Sequence, residues 1–358
     1  MKTNYKDFKI QTNEIIPVDE LVDKVLFDPK KGFYTSKIPF GKKGDFITAP
    51  TISNLFSEII GIWVVSTWEG FGKPKDFNFV ELGPGDGSLT KILLKTFKKF
   101  PDFNKALKVY LYEKSIKLIQ TQKKKINNDK VRWIKNFRSI KKGPVIFFGN
   151  EFFDAIPIKQ FRRKGDSFKE KCFVFNSKGV YETFRVASKK DINSVQSFKT
   201  LNNLDFIEFP KLGLLELSKI VEKINNLNGG VLLIDYGYLN ITNRNTLQSV
   251  MKNKKINFSV LFNNLGKADI TSLVNFELLR EFFLGKKLKV KKIVSQKFFL
   301  ERMGIIERAK ILEKKMTIKQ KVYTETTLER LLNKDSMGKL FKVIFAFKAK
   351  KENFLGFN

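Results

Sequence analysis

The segment Val80-Glu81-Leu82-Gly83-Pro84-Gly85-Asp86-Gly87 places a carboxylate at the end of an apolar run and follows it with a turn containing three glycines. Glycine enters left-handed backbone conformations freely and lets the chain pass close to a bound molecule. A strand ending in such a turn opens onto the crevice where parallel α/β sheets hold ligands. The chemistry this suits is the binding of a nucleotide-like cofactor. The dinucleotide fingerprint needs a third glycine where Ser88 stands, and here the glycine comes one residue early, which disfavours NAD. Alternating glycines after an acid fit S-adenosylmethionine (SAM) better, because Glu81 can neutralise the cationic methionine end and there is no pyrophosphate to repel. The competing reading is a plain chain reversal with Glu81 as a surface charge. Glu113 ends the next apolar run, 26 residues past Gly87. That is somewhat more than the roughly 20 expected of an acid that accepts ribose hydroxyls. The longer loop through Phe100-Pro101-Asp102-Phe103 accounts for the excess, and a solvated strand-end Glu is the alternative.

A second group, Asn150, Glu151 and Asp154, follows the apolar run 145–148 and brings an amide and two carboxylates to the same edge of the sheet. A helical turn here would put Glu151 and Asp154 on one face, able to hold a guanidinium or another nitrogen nucleophile by charge-assisted hydrogen bonds. The same residues would equally serve as a helix cap with dipole-favoured acids. The segments 44–50, with Asp45 and Thr48, and 234–238 mix small, polar and aromatic residues suited to covering a cofactor, and read equally well as turns.

Composition removes several other chemistries. The 358 residues include no histidine and a single cysteine, Cys172, so zinc constellations, Ser-His-Asp and Cys-His catalysis and an intramolecular disulfide are all unavailable, and no metal site is expected. The formal charge of +32 comes mostly from lysines spread along the whole chain. Nucleic-acid patches cluster and use arginine forks, so a nucleic-acid partner is not expected. The N-terminal stretch carries Asp7, Glu14, Asp19 and Glu20 without a preceding apolar run, unlike a leader peptide, and the apolar stretch 59–65 is too short to span a bilayer. A soluble cytoplasmic protein is the expectation, with a homodimer left open.

These residues must be positioned by alternating strands and helices. A helix near 18–26 and an amphipathic helix over 52–68 flank a long loop, 30–50. Strands follow at 77–82, 107–112, 131–134 and 145–148, with a helix after the glycines in which Leu89, Ile92, Leu93 and Phe97 recur at helical spacing. Residues 160–200 alternate aromatic and charged side chains, which predicts an antiparallel insertion serving as lid or substrate wall. A helix at 213–226, strands at 231–235, 289–294 and 340–347, and helices between 298 and 333 complete a mainly parallel sheet. The expected division is an N-terminal helical and loop cap, 1–76, and a core, 77–358, carrying the insertion.

Phe27-Asp28-Pro29, Gly32-Phe33-Tyr34-Thr35, Pro39-Phe40-Gly41, Gly44-Asp45-Phe46-Ile47-Thr48-Ala49-Pro50 and Glu81-Leu82-Gly83-Pro84-Gly85 match one known pattern in order. Asn150-Glu151-Phe152-Phe153-Asp154-Ala155-Ile156-Pro157, Ile234-Asp235-Tyr236-Gly237-Tyr238, Ala268-Asp269-Ile270-Thr271 and 337–343 continue it. Through them the chain resembles the MidA family almost end to end. The mitochondrial member of that family is a complex I assembly protein arginine methyltransferase with a class I SAM-binding fold. The resemblance implies an α/β, Rossmann-like class I methyltransferase sheet, SAM at Glu81, Gly83, Gly85 and Gly87 with Glu113 on its ribose, and a protein arginine as methyl acceptor, in a respiratory-complex subunit for the mitochondrial relative. Asp154, Glu151 and Asn150 are then expected to orient the acceptor, and Asp45 and Thr48 to help cover the cofactor. The chain departs from the family pattern at three places. Asp86 stands where an Arg is common, Thr51 where a Glu usually follows Ala-Pro, and Leu273-Val274-Asn275-Phe276 where His-Val-Asp-Phe is expected. A catalytically silent assembly factor of the same fold and an RNA methyltransferase are the alternatives.

Overall fold

The computed structural model describes residues 5–37, 39, 49, 54–240, 243–252 and 254–358. The chain forms two compact units, each assembled from separated segments: 1–46, 153–218 and 238–282 in the first, and 47–152, 219–237 and 283–358 in the second. The described helix Asn54–Gly70 thus belongs with the sheet unit, and the residues up to 37 with the other.

The second unit is built on a sheet with the strand order Lys289–Val290, Phe341–Lys348, Gly229–Tyr238, Val145–Asn150, Phe77–Leu82, Leu107–Tyr112 and Val131–Ile134. The last five pair in parallel, whereas Phe341–Lys348 runs antiparallel to its neighbours. All six residues of Phe77–Leu82 are buried, the pattern of a strand covered on both faces by helices. The helix Ser88–Phe97 buries Leu89, Leu93, Leu94 and Phe97, the spacing of one apolar stripe. Phenylalanines fill much of this core edge to face: Phe97 meets Phe103 at 5.1 Å between ring centroids, and Trp63 meets Phe345 at 5.0 Å. Such pairs add about 0.5–1.5 kcal/mol each beyond area burial.

The strand expected at 231–235 begins earlier, at Gly229, and runs to Tyr238. Gly229 pairs with Val145 at the start of this strand, and only glycine fits there, because a Cβ at its φ of 127° would stand 1.9 Å from the Val145 carbonyl oxygen. Conversely, the strand expected at 289–294 is two short pieces, Lys289–Val290 and Val294–Ser295, both paired with Phe341–Lys348. Between them Lys291 still donates its N–H to Phe345 O at 3.0 Å.

In the first unit, Lys159–Lys164, Ser167–Asn176 and Gly179–Val186 form successive antiparallel pairs, as the alternation over 160–200 predicts. Ile15–Pro17 pairs with Cys172–Val174 and Phe206–Phe209 with Lys159–Arg162, and neither strand is foreseen from sequence. A buried ion cluster crosses it. Lys159 Nζ lies 2.5 Å from Glu170 Oε1, 3.3 Å from Asp19 Oδ1 and 4.0 Å from Asp191 Oδ2. No described helix is long and apolar enough to cross a membrane.

Candidate active site

Within the sheet unit the chain passes from Phe77–Leu82 outward to Leu107–Tyr112 and Val131–Ile134, then returns to the opposite side of Phe77–Leu82 with Val145–Asn150. Strand order therefore reverses beside Phe77–Leu82, and the crevice outside the carboxyl ends at such a reversal is the ligand position of open α/β sheets. Register fixes what meets there. Glu81 and Leu82 stand opposite Phe148 and Gly149 on one side and Leu111 and Tyr112 on the other, so Gly83–Gly87, Glu113 and Asn150–Phe152 all emerge at the same end of three adjacent strands.

Gly83, Gly85 and Gly87 all take positive φ, at 60°, 54° and 80°. The turn is closed by Gly87 N–H to Pro84 O at 2.9 Å and tied to the next strand by Gly83 N–H to Tyr112 O at 3.0 Å. A Cβ on Gly83 would meet the Phe152 ring at 3.1 Å. Glu81 is not a surface charge: it is only 4% exposed and Thr90 Oγ1 donates to its Oε2. Burial pushes its carboxyl up to about 8; the Thr90 hydrogen bond opposes this, and the nearby Asp86 and Glu113 add to it. Below that pH the group is mostly neutral, and a cationic ligand group would draw it into its ionised form.

Glu113 Oε1 accepts the Ser115 N–H at 2.8 Å and Oε2 accepts from Gln122 Nε2 at 3.1 Å. Burial raises its carboxyl above the usual range against these bonds. The Lys114 backbone N–H also bonds this carboxylate, so three donors favour its ionised, accepting form. Asp86 accepts the Ser88 N–H at 2.9 Å across the turn and pairs with Lys125 Nζ at 2.5 Å.

Asn150 ends its strand, with Nδ2 donating to Glu151 Oε1 at 3.1 Å, and Glu151 N–H donates to Ile234 O at 2.9 Å. The helical turn considered for Glu151 and Asp154 does not form. Glu151 sits at φ 49°, and a tight turn closed by Ile156 N–H to Phe153 O at 3.2 Å follows, so the argument from i, i+3 spacing on one helix face does not hold. Asp154 is buried in the first unit, its carbonyl accepting the Ser272 N–H at 3.2 Å. Residues 234–238 are strand, not turn, and Asp235 is buried with Oδ1 accepting the Tyr236 N–H at 2.9 Å. Asp45 and Thr48 lie outside the described residues.

Sequence reasoning misses Gln122, which is fully buried and touches both the glycine turn and Glu113. Its signal was a polar residue midway between Leu118 and Ile126 on the apolar stripe of a lysine-rich helix. Missed as well is a cavity of about 20 Å³ in the first unit, room for one water, lined in part by Phe153, Glu208, Tyr238, Leu273 and Asn275. One of the three departures noted above, the segment carrying Leu273 and Asn275, lines it.

The family model described as "Putative S-adenosyl-L-methionine-dependent methyltransferase" matches residues 59–294. The chain is 28% identical over 366 residues to the mitochondrial protein arginine methyltransferase NDUFAF7 of Xenopus tropicalis, covering 95% of this chain and 84% of that protein. It is 29% identical to the protein of the same name from Homo sapiens, covering 93% and 80%. A Burkholderia thailandensis protein crystallised with S-adenosyl-homocysteine has the same fold, with a TM-score of 0.80 at 20% identity over 95% of this chain and 89% of that one.

Proposed function

We propose, from the premise that this chain belongs to the family of S-adenosyl-L-methionine-dependent methyltransferases, that it methylates a nitrogen of arginine in a protein substrate. The observation that carries the acceptor is similarity over nearly the whole chain to relatives named protein arginine methyltransferases. SAM supplies an electrophilic methyl group on a cationic sulfonium. Within the chain, Glu81 provides the negative charge against the cofactor's methionine end, and Gly83, Gly85 and Gly87 let the backbone approach it. Glu113 accepts the ribose hydroxyls. Asn150, Glu151 and Asp154 hold and orient the acceptor guanidinium, and Asp45 and Thr48 help close the cover over the cofactor. Such an enzyme acts mainly by aligning a nitrogen lone pair with the methyl carbon and excluding water. The insertion 160–200 serves as the substrate wall, and a respiratory-complex subunit is the substrate this reading points to.

The test starts with proteins from a deletion strain, incubated with purified enzyme and labelled SAM, followed by a search for methylated peptides. Methylarginine that appears only with enzyme is the expected result. Label destroyed by ribonuclease would replace the protein acceptor with RNA, and a partner complex indifferent to SAM would replace catalysis with an assembly role. Asp154→Ala is expected to lower turnover at least about tenfold, the range for loss of a charge-assisted bond to the acceptor, with SAM affinity unchanged. Turnover equal to wild type would remove Asp154 from the mechanism.

A further inference from the structure

The helix Ile116–Ile126 is fastened to the glycine turn at three places. Lys125 Nζ pairs with Asp86 and donates to Ser88 Oγ at 2.8 Å. Ile126 Cδ1 lies 3.1 Å from where a Cβ on Gly87 would stand. Gln122 Nε2 donates to Gly85 O at 2.8 Å. Gln122 also reaches beyond the turn: the same amide nitrogen donates to Glu113 Oε2 at 3.1 Å, and Gln122 Oε1 accepts the Trp133 indole N–H at 2.8 Å. An amide nitrogen has two hydrogens, so both are committed. One buried side chain thus ties together groups belonging to, or directly following, three neighbouring strands.

We propose that Gln122 is a positioning residue for the cofactor, coupling Glu113 to the glycine turn so that the nucleoside and methionine ends are gripped as one unit. The proposal rests on the SAM reading of this crevice. Burial drives the Glu113 carboxyl toward its protonated form, and a protonated carboxyl cannot accept from two hydroxyls on equal terms. The Gln122 N–H stabilises the ionised form and fixes its rotation, while the bond to Gly85 O sets the turn at a constant distance from that carboxylate. A residue that only filled the core would be replaced by Leu without consequence for the ligand.

The test is calorimetric titration of S-adenosyl-homocysteine and of adenosine into wild type, Gln122→Leu, Glu113→Ala and the double variant. Gln122→Leu is expected to weaken both ligands by roughly tenfold, the worth of one hydrogen bond to a charged group. The double variant is expected to bind no more weakly than Glu113→Ala alone, because the two side chains act as one device. Gln122→Glu provides a second reading that does not depend on the Leu variant folding. Its carboxyl can donate only when protonated, so its affinity relative to wild type recovers as pH is lowered from about 8 toward 5.5. Additive losses, an unaffected Gln122→Leu, or a Gln122→Glu to wild-type ratio independent of pH would each overturn the proposal. Failure of folded wild type to bind S-adenosyl-homocysteine would instead remove the reading beneath it.

Discussion

Titrated with SAM at increasing pH, the wild-type protein is expected to bind about tenfold more tightly for each unit up to about pH 8, where the gain stops. Glu81 is buried, its carboxyl is held near 8, and its only hydrogen-bond donor, among the described residues, is the neutral Thr90 hydroxyl. If the methionine end of the cofactor requires the ionised carboxylate, binding below that pH must expel a proton, and affinity rises with pH at a slope of one. Calorimetry in two buffers of different ionisation enthalpy counts that proton directly. The ligand's own amino group titrates near 8, so Glu81→Gln is the control that isolates the protein's contribution. The variant should bind roughly a hundredfold more weakly at pH 8, with no slope below it. A slope of one persisting in Glu81→Gln would sink the assignment.

The same carboxyl leaves a mark on stability without ligand. Its folded pKa lies above the unfolded value of 4.5, so between about 4.5 and 8 the folded state holds a proton that the unfolded state has lost. Stability from this group is therefore lost as pH rises through that window, and Glu81→Gln should flatten the decline. A saturating cationic ligand should offset it as well. These two signs, binding improving with pH and unliganded stability worsening, arise from one burial and are hard to reproduce with a surface acid.

The legible parts of this molecule are those whose signal is local. Phe77–Leu82, Leu107–Tyr112 and Val131–Ile134 stand at the expected residues because each is an apolar run between breakers. The glycine turn and Glu113 were legible for the same reason, since a strand end and its turn are neighbours in sequence. What could not be read is what depends on distant partners. Gln122 is one polar residue on a helix until Gly85, Glu113 and Trp133 converge on it. The local geometry of Glu151 and Asp154 could not be read either, because the chain takes a left-handed residue and a turn where a helical turn is one reading. The grouping of Asn54–Gly70 with the sheet was hidden because an amphipathic stripe states which face of a helix is buried and not against what.

Lys159 is the clearest case of a residue whose sequence setting misleads, and replacing it is expected to produce the largest loss of stability. In Ile158-Lys159-Gln160-Phe161-Arg162-Arg163-Lys164 it reads as one more surface lysine, yet it is 6% exposed and faces Asp19, Glu170 and Asp191. Lys159→Met keeps most of the volume and removes the charge. Glu170 then retains Arg185 at 2.8 Å and Asp191 retains Lys211 at 2.6 Å, but Asp19 has no other ion pair among the described residues. Burial already holds the Asp19 carboxyl above its ordinary range, with Lys159 pulling it down, so losing the lysine moves it further up. Leaving such a charge without its partner costs about 3–5 kcal/mol. Urea unfolding at pH 8 should show a loss of that size. At pH 5 the loss should be smaller, because a carboxyl with a raised folded pKa destabilises progressively as pH rises and is relieved as it takes up a proton. Adding Asp19→Asn to the Lys159→Met protein should restore much of the stability at pH 8 while removing the difference between the two pH values. Two additive losses at both pH values would mean that the lysine supports the sheet by its packing and not by its charge.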